Sequence, residues 1–338
     1  MDGQPRNPAD HLTVNVVQRD DPVSQVTEAD AWESARRYPN VVLRGPVFGF
    51  AAQHPSDGSR WRLLSEMHGG YPQDARDGLN SHLWFHAKDG TDDPVVRREL
   101  LAAVALLETE PVNEVTADSV RYRVVRGDEF ARIGPDGLEP PRPTDPEPSD
   151  HSWDPGKGSP SRVKGFVIDH AEATGLAESL HRMSLLTLRY TADRYPKDVR
   201  EDSARAVRTH PGVVLLPTGF TYAEQKEASW EPMASVQPTP HDARRLMANA
   251  MEEFWPQVYH FTEEQRSDYA QAARQFREAG RSNTLRVRGR HFEIVRVERM
   301  LRIGPDGPER PRPSDVDEIE PMKMHPTMDE HGKITHGD

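Results

Sequence analysis

Apolar residues along this chain change period in a fixed order, from helical spacing to short β runs and back. A short polar helix is predicted over about 27–37. Clustered β-branched and aromatic residues at Val41–Leu43, Val47–Ala52 and Trp61–Leu64 then predict a β meander. Pro72 opens a helix reaching about Lys88. Asp93-Pro94 opens a second, with Val96, Leu100, Val104 and Leu107 on one face. Two strands, about 120–126 and 129–133, close the set.

The same order then returns. A helix is predicted over 199–209, strands at Val213–Leu216 and Phe220–Glu224, and a weak strand at Trp230. Helices follow over about 240–258 and 262–279. Thr262 and Gln265 form a capping box on the latter, and Tyr269, Ala272 and Phe276 share one side. Strands at 284–288 and 291–297 turn at Gly289.

The letters return with the pattern. Arg132-Ile-Gly-Pro-Asp-Gly137 reappears as Arg302-Ile-Gly-Pro-Asp-Gly307, 170 positions on, with related flanks on both sides. Elsewhere the offset drifts only between 172 (Val41 and Val213) and 168 (Asp74 and Asp242). The predicted fold is therefore α+β: a tandem duplication of a helix–β-meander–two-helix–β-hairpin unit, with its halves packed pseudo-symmetrically. The expected divisions are an N-terminal segment 1–26, a first repeat 27–145, a Pro/Ser/Gly-rich linker 146–162, a connecting strand and helix with the second repeat over 163–315, and a disordered acidic tail 316–338. The linker character begins at Pro140 and predicts an exposed segment to Ser161. Gly165-Phe-Val-Ile168 reads as a strand, and Thr174 as the cap of a helix that turns Leu176, Leu180, Met183 and Leu186 to the core.

Composition adds boundaries to this picture. The 338 residues suffice for two cores, while 35% apolar content and 30 prolines suggest compact units joined and tailed by extended segments. No apolar run approaches the roughly 18 residues of a membrane span, and the first residues lack a secretory pattern. Cysteine is absent, which removes disulfides, thiolate nucleophiles and Cys-built zinc sites and makes the cytoplasm the default location. The net charge of −12 opposes wholesale binding of nucleic acid or anionic membrane.

Candidate chemistry is sparse. In Gly-Pro-Asp-Gly, Pro presets φ at the second turn position and Asp-Gly tolerates positive φ; the Pro-Arg-Pro that follows predicts an extended arm. Arg142 and Arg312, with Asp136 and Asp306 in the turns, are thus the interaction candidates. The competing reading is a clasp across the protein's own surface. Arg286, Arg288, Arg290, His291, Arg296, Arg299 and Arg302 form a basic run, but the interleaved Glu293 and Glu298 favour internal pairing over nucleic acid. His82 and His86 share one helical side as metal ligands would, yet a third ligand is not evident, so structural roles are expected. Asp169 and His170 stand at a strand end, where a general base could sit, and with His82 and His86 make up the pocket candidates. His325, His331 and His336 have no helical register. Trp61, Trp230, Trp84 and Trp255 read first as core residues. No Walker loop, dinucleotide fingerprint, zincin motif or nucleophile elbow occurs, and no cofactor or metal is called for.

The strings Tyr38-Pro-Asn-Val-Val, Gly45-Pro-Val-Phe-Gly, Gly165-Phe-Val-Ile-Asp, Asp198 to His210 and the two Arg-Ile-Gly-Pro-Asp-Gly runs resemble an actinobacterial, Streptomyces-type family of unknown function, DUF5954. That resemblance spans nearly the whole chain and implies no activity or catalytic residue. The leading expectation is a non-enzymatic protein-interaction or assembly module with a protein partner. The alternative is a small-molecule-binding protein or enzyme with a site in the cleft between repeats. Nucleic-acid contact through the Arg-rich strands is the weakest of the three, and oligomeric state is left open.

Overall fold

The computed structural model describes residues 14–227 and 229–335. In chain order its first half contains α1 (Pro22–Arg37), β1 (Asn40–Gln53), β2 (Trp61–Leu63), α2 (Pro72–Asp89), α3 (Pro94–Thr109), β3 (Glu114–Ala117), β4 (Val120–Gly134) and β5 (Gly137–Leu138). Then come β6 (Val167–Ile168), α4 (Leu176–Leu185), α5 (Lys197–Thr209), β7 (Gly212–Leu215), β8 (Gly219–Lys226) and β9 (Ser229–Pro232). A helical run follows: α6 (Pro240–Asn249), a π turn over Ala250–Phe254, and α7 (Trp255–Val258). The last elements are α8 (Glu263–Ala279), β10 (Thr284–Val287), β11 (Arg290–Gly304), β12 (Gly307–Pro308) and a small ribbon of β13 (Thr327–Met328) and β14 (Ile334–Thr335).

All strands but the terminal ribbon belong to one antiparallel sheet, with a central path β6-β2-β1-β4-β11-β8-β9. The fold is a mixed α+β one. Its two longest strands, β4 and β11, pair at the centre, where Glu298, Arg299, Met300 and Leu301 face Phe130, Glu129, Asp128 and Gly127. Gly127-Asp128 does not turn the chain, as two separate strands at 120–126 and 129–133 would require. A Cβ on Gly127 would come within 3.2 Å of Leu301 Cδ2 and the Met300 carbonyl, so the glycine permits close approach of strands. The actual hairpin in the first half turns at Asp118-Ser119, both at positive φ (49° and 61°), a two-residue turn without its usual glycine. In the second half Arg288 and Gly289 take that role.

One difference between the repeated strings coincides with a difference in the sheet. Strand β1 runs unbroken through a bulge at Gly45, where φ is +155°. The aligned residue in the second half is Pro217, whose ring fixes φ near −65° and which has no N–H to donate. The ladder therefore breaks between β7 and β8: the Leu216 amide still donates to the Arg299 carbonyl at 2.9 Å, and pairing resumes at Gly219.

Helices α2 and α3 cover one end of the sheet over Phe48, Phe50, Leu79, Leu83, Trp84, Leu100 and Tyr122. Helices α6 to α8 cover the other over Phe220, Tyr222, Met247, Met251, Trp255, Phe276 and Phe292. A third cluster draws on both halves, with Val47, Trp61, Leu63 and Met67 against Val214, Leu216, Leu301 and Ile303. Each fully buried side chain of this kind contributes about 1.5–3 kcal/mol, so the seam is a core and not a hinge.

The linker and the tail, much of whose length is exposed, are each anchored at a few points on the opposite half. After β5 the linker crosses onto the second half: Glu147 accepts from Arg244 at 2.7 Å, the Ser152 carbonyl meets His241, and the Trp153 ring lies 4.9 Å from that of His241. After β12 the tail crosses onto the first half: Asp317 accepts from Arg76 and from the Gln73 backbone, Trp84 donates to the Pro326 carbonyl, and Met328 is buried among that half's core residues. The anchors are few, and each meets a buried cation or ring of the half it lies on. Residues 1–13 and 336–338, with His336, lie outside the described residues.

A second correction concerns α4. It buries Ser179, Arg182 and Leu185, and leaves Leu176, Leu180 and Met183 exposed along one stripe; of the expected core residues only Leu186 packs, half-buried. Arg182 fixes the rotation by reaching inward to the carbonyls of Val213 and His170.

Candidate functional site

Two buried ion clusters flank the central pairing. In one, Arg126 contacts Asp315 at 3.0 Å and Asp128 at 2.7 Å, Tyr190 donates to Asp128, and Arg312 bonds Glu309 at 2.8 Å. In the other, Arg296 contacts Asp145 at 3.0 Å and Glu298 at 2.7 Å, His181 bonds Glu298, and Arg142 bonds Glu139 at 2.6 Å. Burial works to raise the Glu298 carboxyl, but the bond from His181 and the Arg296 guanidinium outweigh it and hold the group far below the carboxylate range. Within these clusters each arginine faces carboxylates of the chain itself. They are internal fastenings.

The same contacts involve the interaction candidates. Arg142 and Arg312 are turned inward onto Glu139 and Glu309, and their backbone amides are capped by Asp145 and Asp315. Asp306 receives Arg121 and Arg123, whose guanidiniums lie 5.1 and 4.6 Å from the Trp61 ring centre. Asp136 and Asp306 both stay at the surface, and Asp136 pairs there with the exposed Arg37 at 3.1 Å, a contact of small energetic weight. The clasp reading of the arms fits these contacts.

The pocket candidates separate. His82 sits between Phe50 and Tyr122 with His86 beyond it at a 6.4 Å ring separation, and burial pushes its imidazole below the usual range. His170 instead lines a small cavity of about 60 Å³ with Trp61, Arg121 and Asp306. Asp169 caps its own turn through the amide of Ala171. No group of three or more potential metal ligands occurs among the described residues. Of the tail histidines, His325 stacks on Trp84 at 4.7 Å and His331 is exposed. Trp61, Trp84 and Trp255 are core residues, and Trp230 is half-buried.

The basic run on β10 and β11 is equally occupied. Arg290 bonds Glu224 twice at 2.7 Å, Arg288 meets Asp268, and Arg302 points to the carbonyls of Leu185, Leu186 and Leu188. Burial removes Arg296, Arg299 and Arg302 from any nucleic-acid surface.

Arg299 is the exception in its chemistry. Its side chain is 4% exposed, its Nη1 donates to the Met67 carbonyl at 3.1 Å, and its Nε is buried with no hydrogen-bond partner. It makes no ion pair among the described residues. Burial pulls its guanidinium below the usual range, with Glu129 and Glu66 acting in the opposite sense from beyond contact distance. The charge stands in a cavity of about 210 Å³ whose walls are Glu66 of the first half, Ser159, Ser161 and Arg162 of the linker, Val163 just after it, and Pro217, Thr218, Val236, Gln237 and Pro238 of the second half. The break at Pro217 supplies one wall.

Sequence reasoning noted Arg299 only as part of a basic run and missed the rest of this site. The alignment held the signal. Opposite Arg299 in the ladder is Glu129, the residue aligned with it, and Glu129 is paired with Arg44. The residue aligned with Arg44 is Leu216, so the second half carries a buried charge at this position without the neighbour that answers it in the first.

The fold is α+β with a large antiparallel sheet, and no helix among the described residues is long and apolar enough to cross a membrane. The chain matches DUF5954, described as a family of unknown function, over residues 21–318, and belongs to that family. Searches of the curated proteins and of the solved structures return no match.

Proposed function

We propose that this protein binds a small anionic molecule in the seam between its halves, at Arg299. The observation that carries this reading is a guanidinium buried beside a cavity of mixed polar and apolar walls without an ion pair. Burial of an unanswered charge costs several kcal/mol, and a bound anion offsets that cost. Hydrogen-bonding capacity is at hand. Thr218 Oγ1 accepts from Arg296 and Ser161 Oγ accepts from the amides of Val163 and Lys164, which leaves both hydroxyl protons to donate inward.

The site also has an origin in this reading: a duplicated unit packed about a pseudo-twofold axis passing between Glu129 and Arg299. Support comes from the aligned residues meeting each other in the β4–β11 ladder and from the arms crossing reciprocally between halves. Three departures, Gly45 to Pro217, Arg44 to Leu216 and Glu129 to Arg299, break the symmetry where the cavity forms.

The test is thermal unfolding and calorimetric titration of the full chain with acetate, succinate, phosphate and sulfate. At about 100 times its Kd a ligand of the native state adds about 2.7 kcal/mol of stability. At least one of these anions should raise Tm in the native protein and have no effect on Arg299→Gln. No response to any of them at millimolar concentrations would overturn the reading.

A second reading, protein assembly, draws on the α4 stripe. Leu176, Leu180 and Met183 are 48%, 40% and 52% exposed at helical spacing, a surface that favours an apolar partner. Sedimentation of the purified protein, with Leu180→Glu beside it, tests self-association through this face; a monomer for both would remove that form of it.

A further inference from the structure

Two further charged side chains line the Arg299 cavity: the exposed Arg162, which donates to the Thr218 carbonyl at 3.4 Å, and Glu66, whose charge has no answer. Glu66 lines the same space, is half-buried, and its carboxylate accepts no hydrogen bond and joins no ion pair among the described residues. Glu66 and Arg299 are near enough for each to act on the other's charge, yet no contact within 4.0 Å joins them. Opposite charges held apart across a small cavity define a ligand more narrowly than the cation alone.

We infer that the ligand is a small zwitterion of the α-amino-acid type, its carboxylate toward Arg299 and its ammonium toward Glu66. This rests on the proposed binding at Arg299 and narrows its chemistry. A simple anion would answer Arg299 but bring like charge toward Glu66, and a simple amine would do the reverse. A molecule with both groups one carbon apart answers each at once. The hydroxyls of Thr218 and Ser161 add donors for the carboxylate, while Val163, Pro217, Val236 and Pro238 form an apolar wall for a short side chain. A cavity of about 210 Å³ suits a molecule of this size.

The test compares alanine and valine with their des-amino counterparts, propionate and isovalerate, by calorimetric titration of the full-length protein at neutral pH. The amino acid should bind at least roughly tenfold more tightly than the matched carboxylate, a difference of about 1.4 kcal/mol. Glu66→Gln should bring that ratio close to one while the carboxylate binds as well as before or better, because a repelling charge is gone. Glu66→Asp should restore part of the preference. Circular dichroism verifies that each variant is folded, and a half-buried glutamate without partners places little of the fold at stake. If propionate binds as tightly as alanine, the zwitterion inference falls and anion binding stands. If no compound of either set binds and the inorganic anions also fail, both fall.

Discussion

Removing Asp315 is expected to be among the most damaging single changes in the chain. Its carboxylate lies 3.0 Å from Arg126 Nε and caps the Arg312 amide at 2.6 Å, and the Arg126 and Asp315 side chains are 2% and 6% exposed. In Asp315→Ala, Arg126 retains Asp128 but loses half its neutralising contact with no water to replace it, and the Arg312 N–H loses its acceptor. Breaking a buried pair costs about 3–5 kcal/mol, and an orphaned amide adds about 1–3 kcal/mol where it cannot find solvent. A total of roughly 4 kcal/mol is expected from the lower ends of both ranges. Urea denaturation followed by circular dichroism and tryptophan fluorescence should show a lower midpoint with a shared transition for both probes. The double replacement Arg126→Met with Asp315→Leu removes both charges, so its cost should fall well below the sum of the two single changes, with a coupling of about 2–3 kcal/mol. Asp145→Ala, at the aligned contact to Arg296 (3.0 Å), should cost a similar amount. A loss below about 1 kcal/mol for Asp315→Ala, or strict additivity in the double variant, would refute the claim that these clusters fasten the arms.

Three further outcomes follow from named contacts. Gly307 (φ +108°) and Gly137 (φ +117°) both occupy conformations that cost an alanine about 1–3 kcal/mol, but a Cβ on Gly307 would fall 2.3 Å from Trp61 Nε1 and one on Gly137 would fall 3.3 Å from Trp230. Gly307→Ala should therefore lower Tm distinctly more than Gly137→Ala, and equal effects would contradict the contact with Trp61. Truncation after Asp317 removes His325, Pro326 and Met328 from Trp84, so its fluorescence should shift to the red and the first half should lose stability; an unchanged spectrum would mean that the tail does not dock. For pH, Glu298 has a folded pKa depressed below its unfolded value, so its stabilisation is present above the unfolded range of about 4.3 and disappears as pH falls toward the folded value. Asp145, raised by burial, acts in the opposite sense. Tm should fall between about pH 5 and 3, and less steeply in Glu298→Gln; parallel curves would exclude this carboxylate as a source.

Much of the architecture was legible because local chemistry expressed it directly. Proline at the first helical turn, the Thr262–Gln265 capping box and clustered β-formers placed the elements correctly, and the repeated Gly-Pro-Asp-Gly marks the same tight turn at both sites. The errors share one cause, namely that partners distant in sequence decided the outcome. Gly127 resembled a turn until Leu301 occupied the space beside it. The stripe of Leu176, Leu180 and Met183 suggested a core face until Arg182 turned α4 the other way.

The sequence by itself determined the kinds of element and their order, the recurring turns, and the list of charges to be accommodated, because periodicity, caps and turn residues act within a few positions. Which charges would be answered was decided only by tertiary structure. Arg142 and Arg299 are both arginines near acids in the text, yet one meets Glu139 at 2.6 Å and the other faces a cavity. The energy of a buried charge depends on what lies within a few ångströms of it, and that distance is set by the packing of strands far apart along the chain.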